Sequence, residues 1–573
     1  MAEANPPILD ERHDQIFPTK EPADIERARR FGVIRRLDAG ATLARAGEVG
    51  EGLAIILSGT VYIYSHDSFG QRQHILTFGA GGFIGEMAQL AGRPSLNDAE
   101  VQEPVEVLVF APERMRALMI AEAELGERMM RALILRRVRL LKAGVGGPVI
   151  VGPAEDGNVL RLEGFLARNG SPYETLYAET DVEAQSLLER FHVDPGQLPI
   201  VLCPNGSLLR DPSESELARC IGLVGPIDPN RVFDVAIVGA GPAGLATAVY
   251  GASEGLSVLV LDCRSFGGQA GASSRIENYL GFPTGISGMA LMARAYSQAA
   301  KFGVETAIPN EVIGLDAPED PVSGHFILHL ADGERVSARS VVIASGVNYR
   351  RLAIENFDEY ETSSVHYWVS QREAKLCAGQ EVVLVGAGNA AGQGAVYLAP
   401  HVGKVWMLAR GEGLQASMSQ YLVDRVSGLA NVEVLTRTEL KGLEGADGLL
   451  SAVRWRRAAS AEEERRSTRH LFLFIGADPN SEWLAGAGIA LDAKGFVLTG
   501  AQAGENRRSL ETSQQGVFAI GDIRSGSTKR VAAAVGEGAQ VAAALHAYLA
   551  TRAERGSQIS DNHAPAAAAQ RLA

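Results

Sequence analysis

Cysteine is scarce in this chain. Cys203, Cys220, Cys263 and Cys377 are the only four in 573 residues, and they form no C-x-x-C, no disulfide-framework spacing and no paired metal-ligand pattern. The sequence therefore predicts no redox dithiol, no disulfide scaffold and no metal. Positive charge is short as well. A formal net charge of −14 argues against broad electrostatic binding to nucleic acid or anionic lipid. No apolar run is long enough to span a bilayer, and the opening MAEANPPILDERHDQIF has neither the basic nor the apolar region of a secretory signal. These absences predict a cytoplasmic protein with neither membrane nor nucleic-acid partners. No pattern of nucleophile and base stands out either, so no side chain is assigned a catalytic role.

What the chain has in quantity is glycine, 64 residues of it, much of it in turns. At roughly 150 residues per domain the length suggests about four units. Residues 15–145 alternate short β-rich runs with glycine turns, then give helical periodicity through PERMRALMIAEAELGERMMRALILRRVRLLKAG; this predicts a β-roll closed by a long helix. Residues 146–224 alternate strand and helix on a small scale, which predicts a compact α/β domain. VGPIDPNRVF reads as a linker, SAEEERRSTRH as a solvated hairpin or loop, and the Ala-rich, polar residues 553–573 as a disordered tail.

Two glycine loops carry the chemistry. FDVAIVGAGPAGLATAVYGASEGLSVLVLD presents a buried strand, the loop glycines Gly239, Gly241 and Gly244, a helix, a second strand and Asp262 at its end. Gly239 suits a tight turn, Gly241 lets a pyrophosphate approach the backbone, Gly244 lets helix and strand pack closely, and Asp262 can accept ribose hydroxyls. EVVLVGAGNAAGQGAVYLAPHVGKVWMLAR repeats the arrangement with Gly386, Gly388, Asn389, Ala390 and Ala391. Its second strand ends on Arg410 rather than an acid, which favours a 2′-phosphate. Two such sites suggest FAD accepting hydride from NADPH or NADH.

With these motifs in place, residues 231–552 resemble the compact thioredoxin reductases. The resemblance extends to GGQ (Gly267, Gly268, Gln269), IENY with Asn278, VVIASG, FLFIGADPN, and GVFAIGD with Gly521 and Asp522. It implies a multidomain α/β protein whose FAD domain (231–350 and 473–552) is interrupted by an NAD(P) domain (351–472), with GGQ, Asn278 and Asp522 along FAD. It also implies a homodimer. The family's dithiol falls at Val369 and Arg372, where this chain has none, and Cys377 stands alone nearby. The family's H-R-R appears as Ala409, Arg410, Gly411, and its R-Q-A as Lys529, Arg530, Val531; Arg530 either faces the flavin, or caps a helix or pairs with Glu537. His366, Tyr367 and Trp368 form an aromatic group just upstream of the lost dithiol, read as packing.

The first domain resembles cyclic nucleotide-binding domains through FIGEMAQLAGRP, with Gly85 and Glu86 at the ligand positions but Ser95 where the family has the phosphate-binding Arg. The second resembles the thioredoxin and glutaredoxin fold, with Leu198-Pro199-Ile200 in the place of the cis-proline. Cys203 and Cys220 there are expected on the last strand and last helix, away from the active-site turn. The reading that follows is an FAD-dependent NAD(P)H oxidoreductase passing electrons to an acceptor other than an adjacent dithiol, such as ferredoxin, flavodoxin, a quinone or a small molecule. A cyclic nucleotide is a further candidate partner. The alternatives are a disulfide reductase using Cys377 or external thiols, and a flavin or nucleotide sensor without turnover.

Overall fold

The computed structural model describes residues 16–562, apart from 67–71, 86–93, 144–146, 321–323 and the single positions 155, 205, 226, 274, 362, 370, 447 and 461. Its contacts divide the chain into two units, residues 1–226 with 297–310, and residues 227–296 with 311–573.

The first unit begins with the expected roll. Two antiparallel sheets form it: β1 (Val33–Leu37), β8 (Val105–Phe110), β3 (Leu53–Ser58) and β6 (Phe83–Ile84) in one, and β2 (Thr42–Ala44), β7 (Asp98–Val101), β4 (Val61–His66) and β5 (Arg72–Phe78) in the other. LAIIL in β3 and LVF in β8 are apolar on successive residues because both their faces are covered. Leu53, Ile55, Leu108 and Phe110 pack on the helices, while Ala54, Ile56, Val107 and Val109 face the second sheet. The helices are α1 (Pro22–Ala28), α2 (Pro112–Ala121) and the long α3 (Ala123–Ala143); α1 and α2 both start on proline, whose fixed φ suits the first turn.

The second domain of this unit runs β9 (Val149–Gly152), α4 (Gly157–Arg168), β10 (Glu174–Tyr177), α5 (Val182–Arg190), β11 (Ile200–Leu202), β12 (Leu208–Arg210) and α6 (Glu214–Cys220). The sheet order is β10-β9-β11-β12, parallel between β10 and β9 and antiparallel elsewhere. Asp156 caps α4 by accepting from the N–H groups of Asn158 and Val159, both at 2.9 Å; Ser213 and Glu216 make a reciprocal capping box at the start of α6. The Leu198-Pro199 bond is cis. One expectation fails here. Cys203 and Cys220 are joined in a disulfide, with Cα atoms 5.7 Å apart. Cys203 follows β11 rather than lying on the last strand, and the turn into β12 carries it back to the end of α6. A spacing of 17 residues has no framework signature, so only the fold brings the two sulfurs together.

The second unit opens with β13 (Val232–Val238), α7 (Pro242–Ser253) and β14 (Val258–Leu261). After β15 (Glu305–Ala307), which belongs to the first unit, come β16 (Val312–Asp316), β17 (Phe326–Leu330) and β18 (Arg335–Ile343). The order β14-β13-β18-β17-β16 is parallel in its first three strands and antiparallel beyond. The chain then crosses by β19 (Val347–Tyr349) into an inserted domain and returns by β28 (Ala477–Pro479), which pairs antiparallel with β19.

The insertion has a parallel sheet, β20 (Val365–His366), β27 (Leu471–Leu473), β21 (Glu381–Val385), β22 (Lys404–Leu408) and β23 (Val432–Leu435), with α8 (Gln371–Leu376) and α9 (Asn389–Leu398). Against it stands the meander β24 (Thr438–Ala446), β25 (Leu449–Arg457) and β26 (Glu463–Ser467). The charged run SAEEERRSTRH is thus half of a hairpin, laced by Arg454 with Glu463 (2.5 Å) and Arg465 with Glu444 (2.7 Å). Finally β29 (Val517–Ala519) pairs with β18, and α10 runs from Val531 to Asn562. Residues 553–562, expected in a disordered tail, continue that helix; 563–573 lie outside the described residues. No helix among the described residues is long and apolar enough to cross a membrane.

Candidate functional site

The first glycine loop is tight because backbone lies against backbone. A Cβ on Gly239 (φ +114°) would stand 2.1 Å from the carbonyl oxygen of Ala344, and one on Gly244 would stand 1.9 Å from the carbonyl oxygen of Gly239. Neither position tolerates a side chain. Gly241 differs: its Cβ would meet nothing closer than Gly268 Cα at 3.9 Å. The space in front of Gly241 opens at the N-terminus of α7, where unpaired N–H groups and the helix dipole favour an anion.

The other motifs converge on this loop. Gly267 N–H donates to the Ala240 carbonyl at 2.8 Å, and a Cβ on Gly268 would approach Gly241 Cα to 3.1 Å. Gly521 (φ +72°) lies against Ala243 in the first turn of α7. Asp262 braces the loop by accepting from the backbone N–H groups of Ala240 (2.9 Å), Arg264 (3.0 Å) and Ser265 (3.3 Å). Burial pushes its pKa up while those donors oppose the shift. Its expected partners were ribose hydroxyls; Oδ1 already accepts from both Arg264 and Ser265, while Oδ2, bonded by Ala240, keeps one lone pair for that role. Gln269 donates from Nε2 to the Val347 carbonyl at 2.7 Å, fastening the GGQ loop to the crossover strand β19. Asn278 and Arg530 are exposed.

Arg530 does not pair with Glu537. Its guanidinium bonds the Lys529 carbonyl, and Arg524 takes Glu537 instead, with Nε at 3.1 Å. The second oxygen of Glu537 accepts the Gly521 N–H at 2.6 Å. The GD turn is therefore held from α10, by an acid set among the alanines and glycines at the start of that helix. Asp522 makes no such bond, and burial raises its pKa.

The second loop repeats the geometry. A Cβ on Gly386 (φ +145°) would lie 2.4 Å from the Phe474 carbonyl oxygen, whereas one on Gly388 would find only Ser417 O at 3.9 Å. Ala391 is buried in the helix–sheet contact, as its small size requires, and Ala390 is exposed. Asn389 accepts the Ser419 N–H at 2.7 Å, closing the facing turn. Arg410 stands exposed just past β22, with Ala409 buried beneath it.

Near the crossover, Tyr349 stacks on Tyr367 (centroids 5.5 Å, planes 15° apart) and lies 6.3 Å from Trp368. Tyr367 donates to Glu361 at 2.5 Å; His366 and His470 share a hydrogen bond of 3.1 Å, with burial holding the His470 pKa down near 4. Val369 and Cys377 both belong to the inserted domain's apolar core. Cys377 is 0 % exposed, and burial, aided by Glu373, pushes its thiol up to about 12. The Arg372 side chain lies outside the described residues.

Comparison with known proteins agrees with this geometry. Residues 233–538 match the family described as pyridine nucleotide-disulphide oxidoreductase. The chain belongs to that family. The oxidoreductase is 31% identical over 315 residues to thioredoxin reductase of Mycoplasmopsis pulmonis, covering 54% of this chain and 95% of the relative. It is 31% identical over 324 residues to NADPH-dependent thioredoxin reductase 3 of Arabidopsis thaliana, covering 56% of this chain and spanning only 58% of that relative. Among solved structures, thioredoxin reductase of Lactococcus lactis in the FR conformation aligns at a TM-score of 0.51 and 26% identity over 56% of this chain and 99% of that one. That of T. acidophilum aligns at 0.51 and 28%, with the same coverage. Members are FAD-dependent NAD(P)H oxidoreductases, and the two open glycine sites fit the pyrophosphates of FAD and NADPH.

A second match covers residues 34–122, a cyclic nucleotide-binding domain. Gly85 adopts φ +153°, and a Cβ there would lie 2.4 Å from the Leu53 side chain; Glu86 and Arg93 lie outside the described residues. Ser95 is buried and donates from Oγ to the Asn97 carbonyl at 2.8 Å.

Proposed function

We propose that the oxidoreductase takes hydride from NADPH at the Gly386–Ala391 loop, holds FAD at the Gly239–Gly244 loop, and delivers the electrons to an acceptor other than an adjacent dithiol. The nicotinamide and flavin, when bound, supply hydride chemistry that asks for placement rather than an acid or nucleophile. The chain's own contribution is that placement. Gly241 and Gly388 leave the two anion sites open at helix N-termini, Asp262 and Glu537 fix the loops around FAD, and Arg410 offers a cation for a 2′-phosphate. Asn278, Asp522 and Arg530 are proposed to lie along FAD, by resemblance.

One observation carries the choice of acceptor. Cys377, the single thiol of the inserted domain, is sealed in apolar core with its thiolate strongly disfavoured, so it is a packing residue rather than a nucleophile. Ferredoxin, flavodoxin, a quinone or a small molecule remain the acceptor classes. Cys377→Ser is accordingly expected to keep NADPH oxidation within about twofold of wild type, while costing ~1 kcal/mol of stability for a buried hydroxyl; abolished turnover in a folded variant would restore the disulfide reductase. The α/β domain of residues 146–224 is proposed to be thioredoxin-like, on its strand order and cis-proline, and to serve as a scaffold or docking surface.

Anaerobic mixing of the FAD-loaded protein with NADPH, and separately with NADH, tests the whole reading. Rapid loss of the oxidised flavin absorbance is expected, faster with NADPH. Bound FAD that bleaches with neither nucleotide overturns the reductase and leaves a sensor.

A further inference from the structure

The disulfide that the sequence did not announce sits at an informative place. Cys203 is 3 % exposed, Cys220 half-buried. Cys203 lies in the tight turn between β11 and β12, accepting the Gly206 N–H and donating its own to the Ser207 carbonyl, both at 2.8 Å. Cys220 is the last residue of α6, and the chain turns at once: Gly222 takes φ +67°. A Cβ on Gly222 would stand 2.5 Å from Pro94 Cγ, so the exit of α6 lies flat on the proline ring. Pro94 is the last residue of FIGEMAQLAGRP, the stretch that carries the nucleotide-domain resemblance.

Both ends of that stretch are anchored. At its start, Arg136 donates to the carbonyls of Phe83 (3.0 Å) and Gly85 (3.3 Å). At its finish, Ser95 exchanges backbone bonds with the 47–48 turn, its N–H donating to Glu48 (2.9 Å) and its carbonyl accepting from Gly47 (2.8 Å). Pro94 itself has no N–H to give, so packing on Gly222 is what holds its outer side. The end of α6, a helix of seven residues, is closed by the Ile221 N–H on the Leu217 carbonyl (3.1 Å) and the Leu223 N–H on the Ala218 carbonyl (2.8 Å); the cross-link to Cys203 adds a covalent tie to the β11–β12 turn.

We propose that the Cys203–Cys220 disulfide is a thiol-exchange site, opened at Cys220 by a small dithiol, and that its state is transmitted through Gly222 to the Pro94 end of the FIGEMAQLAGRP segment. A thiolate of the dithiol attacks the sulfur of Cys220, the more exposed of the two residues; the Cys203–Cys220 bond breaks and Cys203 leaves as thiolate, to be protonated. The dithiol's second thiol then displaces Cys220, closing the dithiol's own disulfide. Two electrons and two protons have passed from the dithiol to Cys203 and Cys220. With the link cut, the end of α6 loses its covalent tie to the β11–β12 turn, and the Gly222 surface behind Pro94 is held by hydrogen bonds and packing alone. That such a change alters nucleotide affinity rests on reading residues 34–122 as a nucleotide site; the exchange and its transmission do not.

The test uses the full chain, untreated and after dithiothreitol, with alkylation and peptide mapping to score Cys203 and Cys220 and hydrogen exchange to score residues 94–97. Reduction of the folded chain should label both cysteines. Exchange in 94–97 should then rise about fivefold or more, the factor that ~1 kcal/mol of local stability represents, while β8 is unchanged. The Cys203→Ser, Cys220→Ser double variant should show the fast exchange from the outset and no response to dithiothreitol. Cysteines that stay unlabelled in the folded chain overturn the exchange site. Labelling without faster exchange at 94–97, or an equal response in the double variant, overturns the transmission. A parallel titration with cAMP separates the readings: faster exchange with no cAMP binding in either state sustains the switch and removes the nucleotide.

Discussion

Gly241→Val will leave the chain folded and without FAD. The three glycines of the first loop are not equivalent in the structure. Gly239 and Gly244 are required by the fold itself, since a side chain on either would enter a neighbouring carbonyl oxygen. Gly241 has φ −74° and ψ −175°, a backbone conformation open to any residue, and nothing within 3.9 Å of an added Cβ. The branched side chain of valine therefore enters the open space in front of α7, where the ligand is proposed to lie. Losing two backbone hydrogen bonds to a charged pyrophosphate, at about 1.5–3 kcal/mol each, weakens binding by about 10²–10⁴-fold. Visible absorbance of the purified variant should vanish while its far-UV circular dichroism is kept. Gly388→Val makes the matched experiment in the inserted domain, where φ is −89° and ψ −178°. That variant should retain FAD and fail to bleach with NADPH. If Gly241→Val keeps its flavin, the open space in front of α7 is not the pyrophosphate site.

The same contrast explains which parts of the molecule could be read in advance. The glycine loops were legible because close backbone approach leaves one residue type to choose from, and the choice shows in the sequence. GGQ, VVIASG and GVFAIGD were legible for the same reason: Gly267 and Gly521 take positive φ, and Ala344 presses on Gly239. Contacts made by common residues at a distance were not. Arg530 was the only cation weighed as a partner for Glu537, and the position of α10 gives that acid to Arg524 instead. The disulfide escaped because its cysteines lie in a β-turn and at a helix end, elements whose meeting depends on the whole α/β domain. The sequence left Cys377 standing alone near the missing dithiol, and what that meant for the acceptor needed the core around it.

Lys20 is the residue the sequence said least about, and the second large effect is expected there. It precedes α1 in the run FPTKEPAD and looks like an ordinary surface lysine. The fold instead places it 3 % exposed, with Nζ lacking any hydrogen-bond partner among the described residues and lying 4.9 Å above the Phe83 ring. Burial is the main reason its pKa falls from 10.5 to about 8; Arg128 and Arg136 add to the fall and Asp24 resists it. A folded-state pKa below the unfolded one means that the unfolded chain binds more protons between pH 8 and 10.5, so stability rises with pH across that window. Below it the whole penalty is present, about 3 kcal/mol from a shift of this size. Lys20→Met keeps the volume and removes the charge. Allowing for the lost cation–π contact, the variant should be more stable at pH 7 by about 1–3 kcal/mol. Pulse proteolysis in urea, scored on fragments from residues 16–143, measures it. The advantage should shrink as the pH is raised from 8 towards 10.5, because the wild-type amine sheds its proton on folding there. A gap that stays constant over that range would mean the amine is hydrated in solution and carries no buried charge.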